Sequence, residues 1–330
     1  MLPGGGVSLL LAWLVLAAAA PSAGAGPPAG PDPAKADARA RAAMLAYFRD
    51  DPFSPLRAFR RYDFPPAAAP AAAPAGPAAV LGSAADCDVR LEGPGVEPHA
   101  LRVVVLPPEG ADQPARFRLE RLATGGDLRV SGESWVAAAA DTRIVPEETR
   151  VEAGPFAVRP YVQADAGILI LFDSRRTAAG AFVPPAWFDF DRSWVFRALL
   201  KRDPKPTPMT LQTSLGRTKE YLRVGTFTLD VPGRRGLNVV AYQPTFIANA
   251  ATSLSILFTD ATSGKETYGA GRYLDLEPPV DGVYTIDFNR AYNPLCAYTN
   301  VYNCPIPPRE NSLPVAVRAG EKSYPGHARP

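Results

Sequence analysis

The apolar positions of this chain fall into short alternating runs far more often than into helical stripes. Between Val80 and Gln163 the segments VLGSAADCDVRL, PHALRVVVL, ARFRLERL, GDLRVSG and PFAVRPYVQ recur at regular spacing with Gly, Pro and Asp between them. That is the pattern of a small β-sandwich. ILILF at 168–172 reads as one compact apolar strand, and MTLQTSLG, TKEYLRVGTFTLDVPG, RRGLNVVAYQP and SLSILF continue the series from Met209 to Phe258. A second, nearly all-β domain follows from it, built as a sandwich or partly closed barrel. Helical spacing is confined to Ala34–Asp50, where Met44, Leu45 and Phe48 share a face and Asp50-Asp51-Pro52 ends the pattern. In the FSPLRAFRRYDFPP segment that follows, Phe53, Leu56 and Phe59 are expected to dock an arm on the body. The fold class expected is mainly β: two β-sandwich or partly closed barrel domains with a short N-terminal helix.

Arg272–Leu276 and Val283–Phe288 are rich in aromatic and aliphatic residues and flank a Pro-Pro-Val-Asp-Gly stretch, so they read as a β-hairpin. With Glu277–Gly282 as its loop, antiparallel pairing sets Leu276 opposite Val283, Leu274 opposite Thr285 and Arg272 opposite Asp287. Tyr284, Ile286 and Phe288 then share a face. A guanidinium and a carboxylate on neighbouring strands form a bidentate pair, which serves as a polar anchor or as a site.

The chain opens with an apolar run from Val7 to Ala20 followed by Ala23-Gly24-Ala25, the pattern of a signal peptide over residues 1–25. No Lys or Arg precedes the run, so an uncleaved anchor is the competing reading, and export to a periplasm or the extracellular space is expected under the first. Residues 26–64 form the helix and arm, and 65–79, PPAAAPAAAPAGPAA, form an extended Ala/Pro linker. Residues 80–165 form the first β domain and 166–330 the second.

Composition removes several functions. Lys plus Arg number 35 against 33 Asp plus Glu, a net charge of +2, and no basic run marks a nucleic-acid face. Only two histidines occur, His99 and His327, which withdraws the usual general base and zinc ligand from most sites. Proline, at 37 residues, favours strands and loops over long helices. The aromatics Trp187, Phe188, Phe190, Trp194 and Phe196 read as core rather than as a ligand platform.

The blocks GKETYGAGRYLDL, DGVYTIDFNRAYNPLCAY and CPIPPRENSLPVAVRAGEKSY closely resemble the signature of domain-of-unknown-function family 1684, a likeness reaching upstream to about Thr177. The resemblance implies a fold unit and no reaction. In the first domain, Leu81-Gly82-Ser83, Asp86 through Leu91, His99-Ala100 and the Gly125-Gly126 turn follow in the order that resembles a forkhead-associated domain. That family binds phosphothreonine through an Arg where this chain has Ser83, and through a Ser and an Arg where it has Glu97 and Pro98. An acidic residue there repels the phosphate, so phosphopeptide binding is disfavoured. His99 is expected to tie a loop, and Cys87 to be a small buried thiol.

Cys296 and Cys304 enclose seven residues in a Pro- and Asn-rich loop. In an exported protein this spacing points to a structural disulfide, worth about 2.6 kcal/mol for a loop of that size. A pair of reduced thiols near a polar pocket is the second reading. Zinc lacks its remaining ligands near this loop, and no CxxC is present, so neither metal nor cofactor is expected.

Acid-base chemistry would draw on Asp287, Glu310 and Glu321, with Arg272, Asn289, Asn293, Asn311 and Lys322 as partners. The same residue types also satisfy buried loop backbone. No nucleophile elbow, phosphate loop, HExxH helix or dinucleotide fingerprint occurs, and GAGR at 269–272 leads into a strand. Two function classes remain. One is a non-enzymatic binding or scaffold module holding an unknown small molecule or protein in a polar pocket of Arg272, Asp287, Asn289, Asn293, Glu310 and Asn311. The other is a hydrolase-like enzyme using the carboxylate, Arg and Asn groups of the same domain.

Overall fold

The computed structural model describes residues 32–65, 76–106, 116–136, 141–163, 166–178, 180–245 and 253–326. The expected signal peptide, most of the Ala/Pro linker and His327 lie outside the described residues. The chain divides at Phe182/Val183 into two units, the first built from Phe48 onward and the second taking residues 32–47 together with those after 182.

The first unit holds eleven strands among its described residues: β1 (Ala58–Asp63), β2 (Ala78–Gly82), β3 (Val89–Arg90), β4 (Leu101–Leu106), β5 (Arg116–Arg121), β6 (Leu128–Val130), β7 (Glu133–Ser134), β8 (Thr142–Pro146), β9 (Val151–Ala153), β10 (Phe156–Gln163) and β11 (Ala166–Asp173). They form two sheets, ordered β1-β11-β10-β9-β6-β7 and β3-β2-β4-β5-β8. Alternation places Leu81, Val103, Phe117 and Leu119 of one sheet against Leu128, Val151, Val158 and Leu171 of the other, in one core. This is the sandwich that the alternating segments implied.

The arm docks as its apolar spacing requires, with Phe53 and Leu56 buried and Phe59 packed against the core. It then continues into β1, which pairs with β11. That pairing corrects the domain boundary expected at 165/166. β11 is also bonded to β10 along its length, Phe156↔Asp173 through Gln163↔Ala166, so it completes the first sandwich rather than opening the second domain. The linker ends early as well, since Ala78 and Ala79 already belong to β2.

The second unit begins with α1 (Pro33–Asp50), whose last turn is counted with the first unit. Asp37 and Arg41 pair at i,i+4 across 2.7 Å, Ala40 and Met44 are buried, and Arg41 donates to the Phe188 carbonyl at 2.7 Å. Among the described residues seven strands follow: β12 (Val195–Leu199), β13 (Lys201–Gln212), β14 (Thr218–Val231), β15 (Arg234–Pro244), β16 (Leu254–Phe258), β17 (Arg272–Leu276) and β18 (Val283–Asp287). β13 to β17 form one sheet in chain order, and β12 pairs with β18 in a second. Phe227, Val239, Ile256 and Phe258 from the larger sheet meet Ile286, Phe288 and Trp194. Trp194 lies edge-on to Phe288 with centroids 5.7 Å apart, so this part of the aromatic-rich stretch is core. Among the described residues no helix is long and apolar enough to cross a membrane.

The expected hairpin is not formed. β17 pairs with β16, with Arg272 opposite Phe258 and Leu276 opposite Leu254. β18 pairs with β12, with Asp287 opposite Val195. The cause is local. Asp281 and Gly282 both take positive φ, 49° and 77°, which closes a two-residue turn with reciprocal Val280 and Val283 backbone bonds of 3.1 and 2.9 Å. The next residues back are Pro279 and Pro278, which have no N–H to extend the ladder. Pairing stops after one rung, and the two strands join different sheets.

Candidate functional site

Arg272 opens β17 at a core-facing position, in the alternation that also buries Leu274 and Leu276. Its guanidinium is fully buried and bonded to Asp260 Oδ2 at 2.9 Å, and to the carbonyls of Val317 at 2.8 Å, Ala319 at 2.5 Å and Glu321 at 3.2 Å. Phe258 covers it, with the ring centroid 5.3 Å away. Asp260, which the sequence did not single out, also accepts from Thr262 N at 2.8 Å and Val317 N at 3.2 Å. The close approach of residues 317–321 depends on Gly320, at φ 78°, where a Cβ would meet the Ala291 carbonyl oxygen at 2.5 Å. Burial lowers the Arg272 pKa, and Asp260 opposes that shift. The pair is an anchor for an irregular C-terminal segment, with no face left for a ligand.

Glu321 lies beside this centre, buried to 1% exposure. Asn293 N donates to its Oε2 at 2.8 Å, and the Tyr298 hydroxyl donates to its Oε1. Burial pushes its carboxyl up to about 7, against the pull of those donors and of Arg272. Asn293 Nδ2 donates to the Lys322 carbonyl at 2.7 Å.

The other candidates are placed apart. Asp287 accepts from Asn289 N at 2.9 Å and Asn289 Nδ2 at 2.8 Å. Asn289 in turn bonds both Asp191 N and Asp191 O, at 2.8 and 2.9 Å, fixing the segment before β12. Asn311 is fully buried: Oδ1 accepts from Val240 N at 2.8 Å, and Nδ2 donates to Val240 O at 2.9 Å and Leu257 O at 3.0 Å. β15 and β16 share only the Tyr242↔Ser255 pair, so this side-chain amide stands in for a missing rung between them. Asn311→Ala orphans the Val240 N–H and is expected to cost about 2 kcal/mol, read from the midpoint of urea unfolding.

Glu310 is exposed, whereas Asp287 is half-buried and the Arg and Asn candidates are buried. Its Oε1 accepts the Tyr242 hydroxyl at 2.7 Å and its Oε2 meets Arg223 Nε at 3.2 Å, while Arg223 also pairs with Asp203. Burial and the Glu310 contact drive the Tyr242 phenol far above its ordinary range. The structure therefore brings Asp287 and Asn289 together, and Arg272 near Glu321 and Asn293, but leaves Glu310 and Asn311 in separate networks.

Cys296 and Cys304 are free thiols, which corrects the expected disulfide. Cys296 N donates to Cys304 Sγ at 3.2 Å, Tyr268 approaches Cys296 Sγ at 3.7 Å, and Cys304 N is held by Ser214 Oγ at 3.0 Å. Polar contacts and the short helical turn Leu295–Ala297 hold the loop in place of a covalent clasp. A hydrogen bond between the thiols holds Cys296 below the usual thiol range and pushes Cys304 well above it. Tyr273 donates to the Pro305 carbonyl. Asp275 joins Tyr292 at 2.8 Å and Ser255 at 2.6 Å, and burial raises its pKa.

Two shallow clefts are found among the described residues, each of about 10 Å³, one at Asp37, Arg41, Trp187, Asn289 and Tyr292 and the other at Glu97, Arg121, Gly125 and Gly126. Both are smaller than the usual small-molecule site of roughly 300–1,000 Å³. In the second, Arg121 is spent on the carbonyls of Ala123, Gly125 and Trp135.

Residues 181–322 match the family described as "Protein of unknown function (DUF1684)". Among solved structures, the chain is similar to the solution NMR structure of an uncharacterized protein of Haloarcula marismortui, at 36% identity over 44% of this chain and 80% of that chain, with a TM-score of 0.37. It is also similar, over its N-terminal region, to the MEK1 FHA domain in complex with a HOP1 phosphothreonine peptide, at 10% identity over 29% of this chain and 79% of that one, TM-score 0.21. The FhaA FHA domain complexed with the intracellular domain of Rv3910 shares 16% identity over 31% and 85%, TM-score 0.18. No curated protein matches the sequence.

Proposed function

The chain belongs to this DUF1684 family of unknown function through residues 181–322, and from that premise we propose that it is an exported, non-enzymatic binding or scaffold protein. One observation carries the reading. The polar residues that a catalyst would present, Arg272, Asn289, Asn293, Asn311 and Glu321, are buried and bonded to backbone or to one another. A group sealed in this way fixes loops and cannot reach a substrate. What the second unit offers a partner is a rigid surface, which includes a polar cluster of Glu310, Arg223 and Asp203 bonded to the buried Tyr242.

That same cluster is the foothold of the hydrolase reading, since Glu310 is an exposed carboxylate oriented by a tyrosine and an arginine. The two readings separate on the purified full chain. It is expected to show no turnover of chromogenic esters, glycosides or phosphoesters, while a thermal-shift screen of metabolites and cell-wall fragments finds a stabilising ligand. A ligand at a hundred times its Kd adds about 2.7 kcal/mol, well within reach of the method. Turnover that disappears in Glu310→Gln, with melting unchanged, establishes the hydrolase and overturns the binding reading.

A further inference from the structure

In the first unit, far in sequence from every candidate residue of the second unit, three metal-type donors of different chemistry converge. The atoms that Asp86, Cys87 and His99 can offer all lie within 4.8 Å of one another. Asp86 Oδ1 is 2.9 Å from His99 Nε2, and Cys87 Sγ points at the Pro98 carbonyl at 3.2 Å, beside His99.

The backbone holds these donors in place. Asp86 and Cys87 lie in the turn after β2, closed by Cys87 N to Ala84 O at 3.3 Å, and His99 lies in the turn before β4. β2 and β4 are antiparallel neighbours, with Leu81 opposite Leu101, so both turns leave the same end of one strand pair. They are then clipped to each other by Ser83 N to Glu97 O at 2.9 Å and Ala84 N to Pro98 O at 3.0 Å. A His–Asp contact alone is an ordinary surface pair. A thiol brought to the same point by a doubly clipped pair of turns is not explained by it.

We propose that Asp86, Cys87 and His99 bind one divalent cation of the zinc class. Carboxylate oxygen, imidazole nitrogen and thiolate sulfur are the donor types zinc accepts. Around a tetrahedral ion with bonds of about 2.0 to 2.3 Å, donors stand about 3.3–3.8 Å apart. The Asp86–His99 contact opens by a few tenths of an ångström to meet this, and the sulfur closes in by a shift of its own side chain. One carboxylate and one thiolate neutralise the dication. The side chains of His99 and Asp86 are 45% and 74% exposed, so the fourth position faces water, leaving room for a water molecule. The nearby Arg90 does not compete, being paired with Glu92 at 2.9 Å.

The test is a Co²⁺ titration of the full chain, reduced and stripped with chelator. One equivalent is expected to give a near-ultraviolet sulfur-to-cobalt charge-transfer band with tetrahedral d–d bands, both bleached by Zn²⁺. Cys87→Ser is expected to abolish the charge-transfer band, and His99→Ala or Asp86→Asn to weaken Co²⁺ binding at least tenfold. The Cys296→Ser/Cys304→Ser variant keeps the spectrum. Circular dichroism of each metal-free variant checks the fold, and Asp86→Asn, at the most exposed of the three positions, perturbs it least. No uptake of Co²⁺, a charge-transfer band that survives Cys87→Ser, or one that vanishes with the Cys296/Cys304 variant overturns the assignment.

Discussion

Arg272→Ala is expected to destabilise the protein by about 3–5 kcal/mol, seen as a matching fall in the free energy of urea unfolding. Against a domain stability of about 5–15 kcal/mol, that leaves the second unit marginal. The size follows from what is orphaned. Asp260 would keep a buried charge with its guanidinium gone, and three backbone carbonyls, of Val317, Ala319 and Glu321, would lose their donor in the core. Arg272→Lys restores a charge but not the fork that reaches several oxygens at once, so it is expected to recover only part of the loss. A double variant, Arg272→Met with Asp260→Leu, separates the two costs. If the ion pair dominated, removing both partners would be close to neutral. With the carbonyls still unpaired, the double variant is expected to remain at least about 2 kcal/mol below the parent. An Arg272→Ala protein that unfolds within about 0.5 kcal/mol of the parent contradicts this anchor role, since that is the range of ordinary surface substitutions.

Arg272 also marks how far the sequence could be read. The expected hairpin register announced an ion pair between Arg272 and a carboxylate, and an ion pair forms, with a different partner. The partner was misassigned because strand pairing is a non-local property. The Asp-Gly turn fixes Val280 opposite Val283, and Pro278-Pro279 then end the ladder, so Asp287 leaves with β18 for another sheet. The true partner, Asp260, carried one local signal. It stands two residues before Thr262, the spacing at which an Asp accepts from the backbone of its own turn. Such a turn places a carboxylate but says nothing of a guanidinium twelve positions on.

Elements defined by period alone were legible: the short helix, the docking arm and the alternating strands of both units. The boundary between units was not, because ILILF reads identically whether it closes one sheet or opens another, and only its pairing with β10 and β1 decides. The cysteines show a similar limit. The spacing, under the expectation of export, favoured a disulfide, whereas Ser214 and Tyr268, brought in from other parts of the unit, surround free thiols with polar partners. Asn311 was expected in a polar pocket or satisfying loop backbone, yet it substitutes for a rung between two strands more than fifty residues earlier in the chain.

Glu321→Gln is expected to change how stability depends on pH. The carboxyl titrates near its ordinary 4.5 in the unfolded chain and is pushed up to about 7 in the fold, chiefly by burial. Between those values the native state holds a proton that the unfolded chain has released, so rising pH favours unfolding. The contribution of this group is whole below about 4.5 and is lost as pH climbs through about 7. At about 1.4 kcal/mol per pH unit, the loss totals about 3 kcal/mol. Glutamine cannot ionise, but it keeps the shape of the neutral acid and an oxygen to accept from Asn293 N or Tyr298. The variant is therefore expected to match the parent at pH 4.5 and to exceed it by up to about 3 kcal/mol at pH 8, measured by urea unfolding at each pH. Other groups shift in both directions, Asp275 upward and Glu266 downward, so the difference curve rather than either curve alone reports Glu321. Arg272 couples the two expectations: its guanidinium favours the ionised form, and removing it raises the Glu321 carboxyl further and steepens the fall above pH 7. Parallel parent and variant curves from pH 4.5 to 8 would mean that Glu321 titrates alike in the folded and unfolded chain, and that its burial among Tyr298 and Asn293 carries no proton linkage.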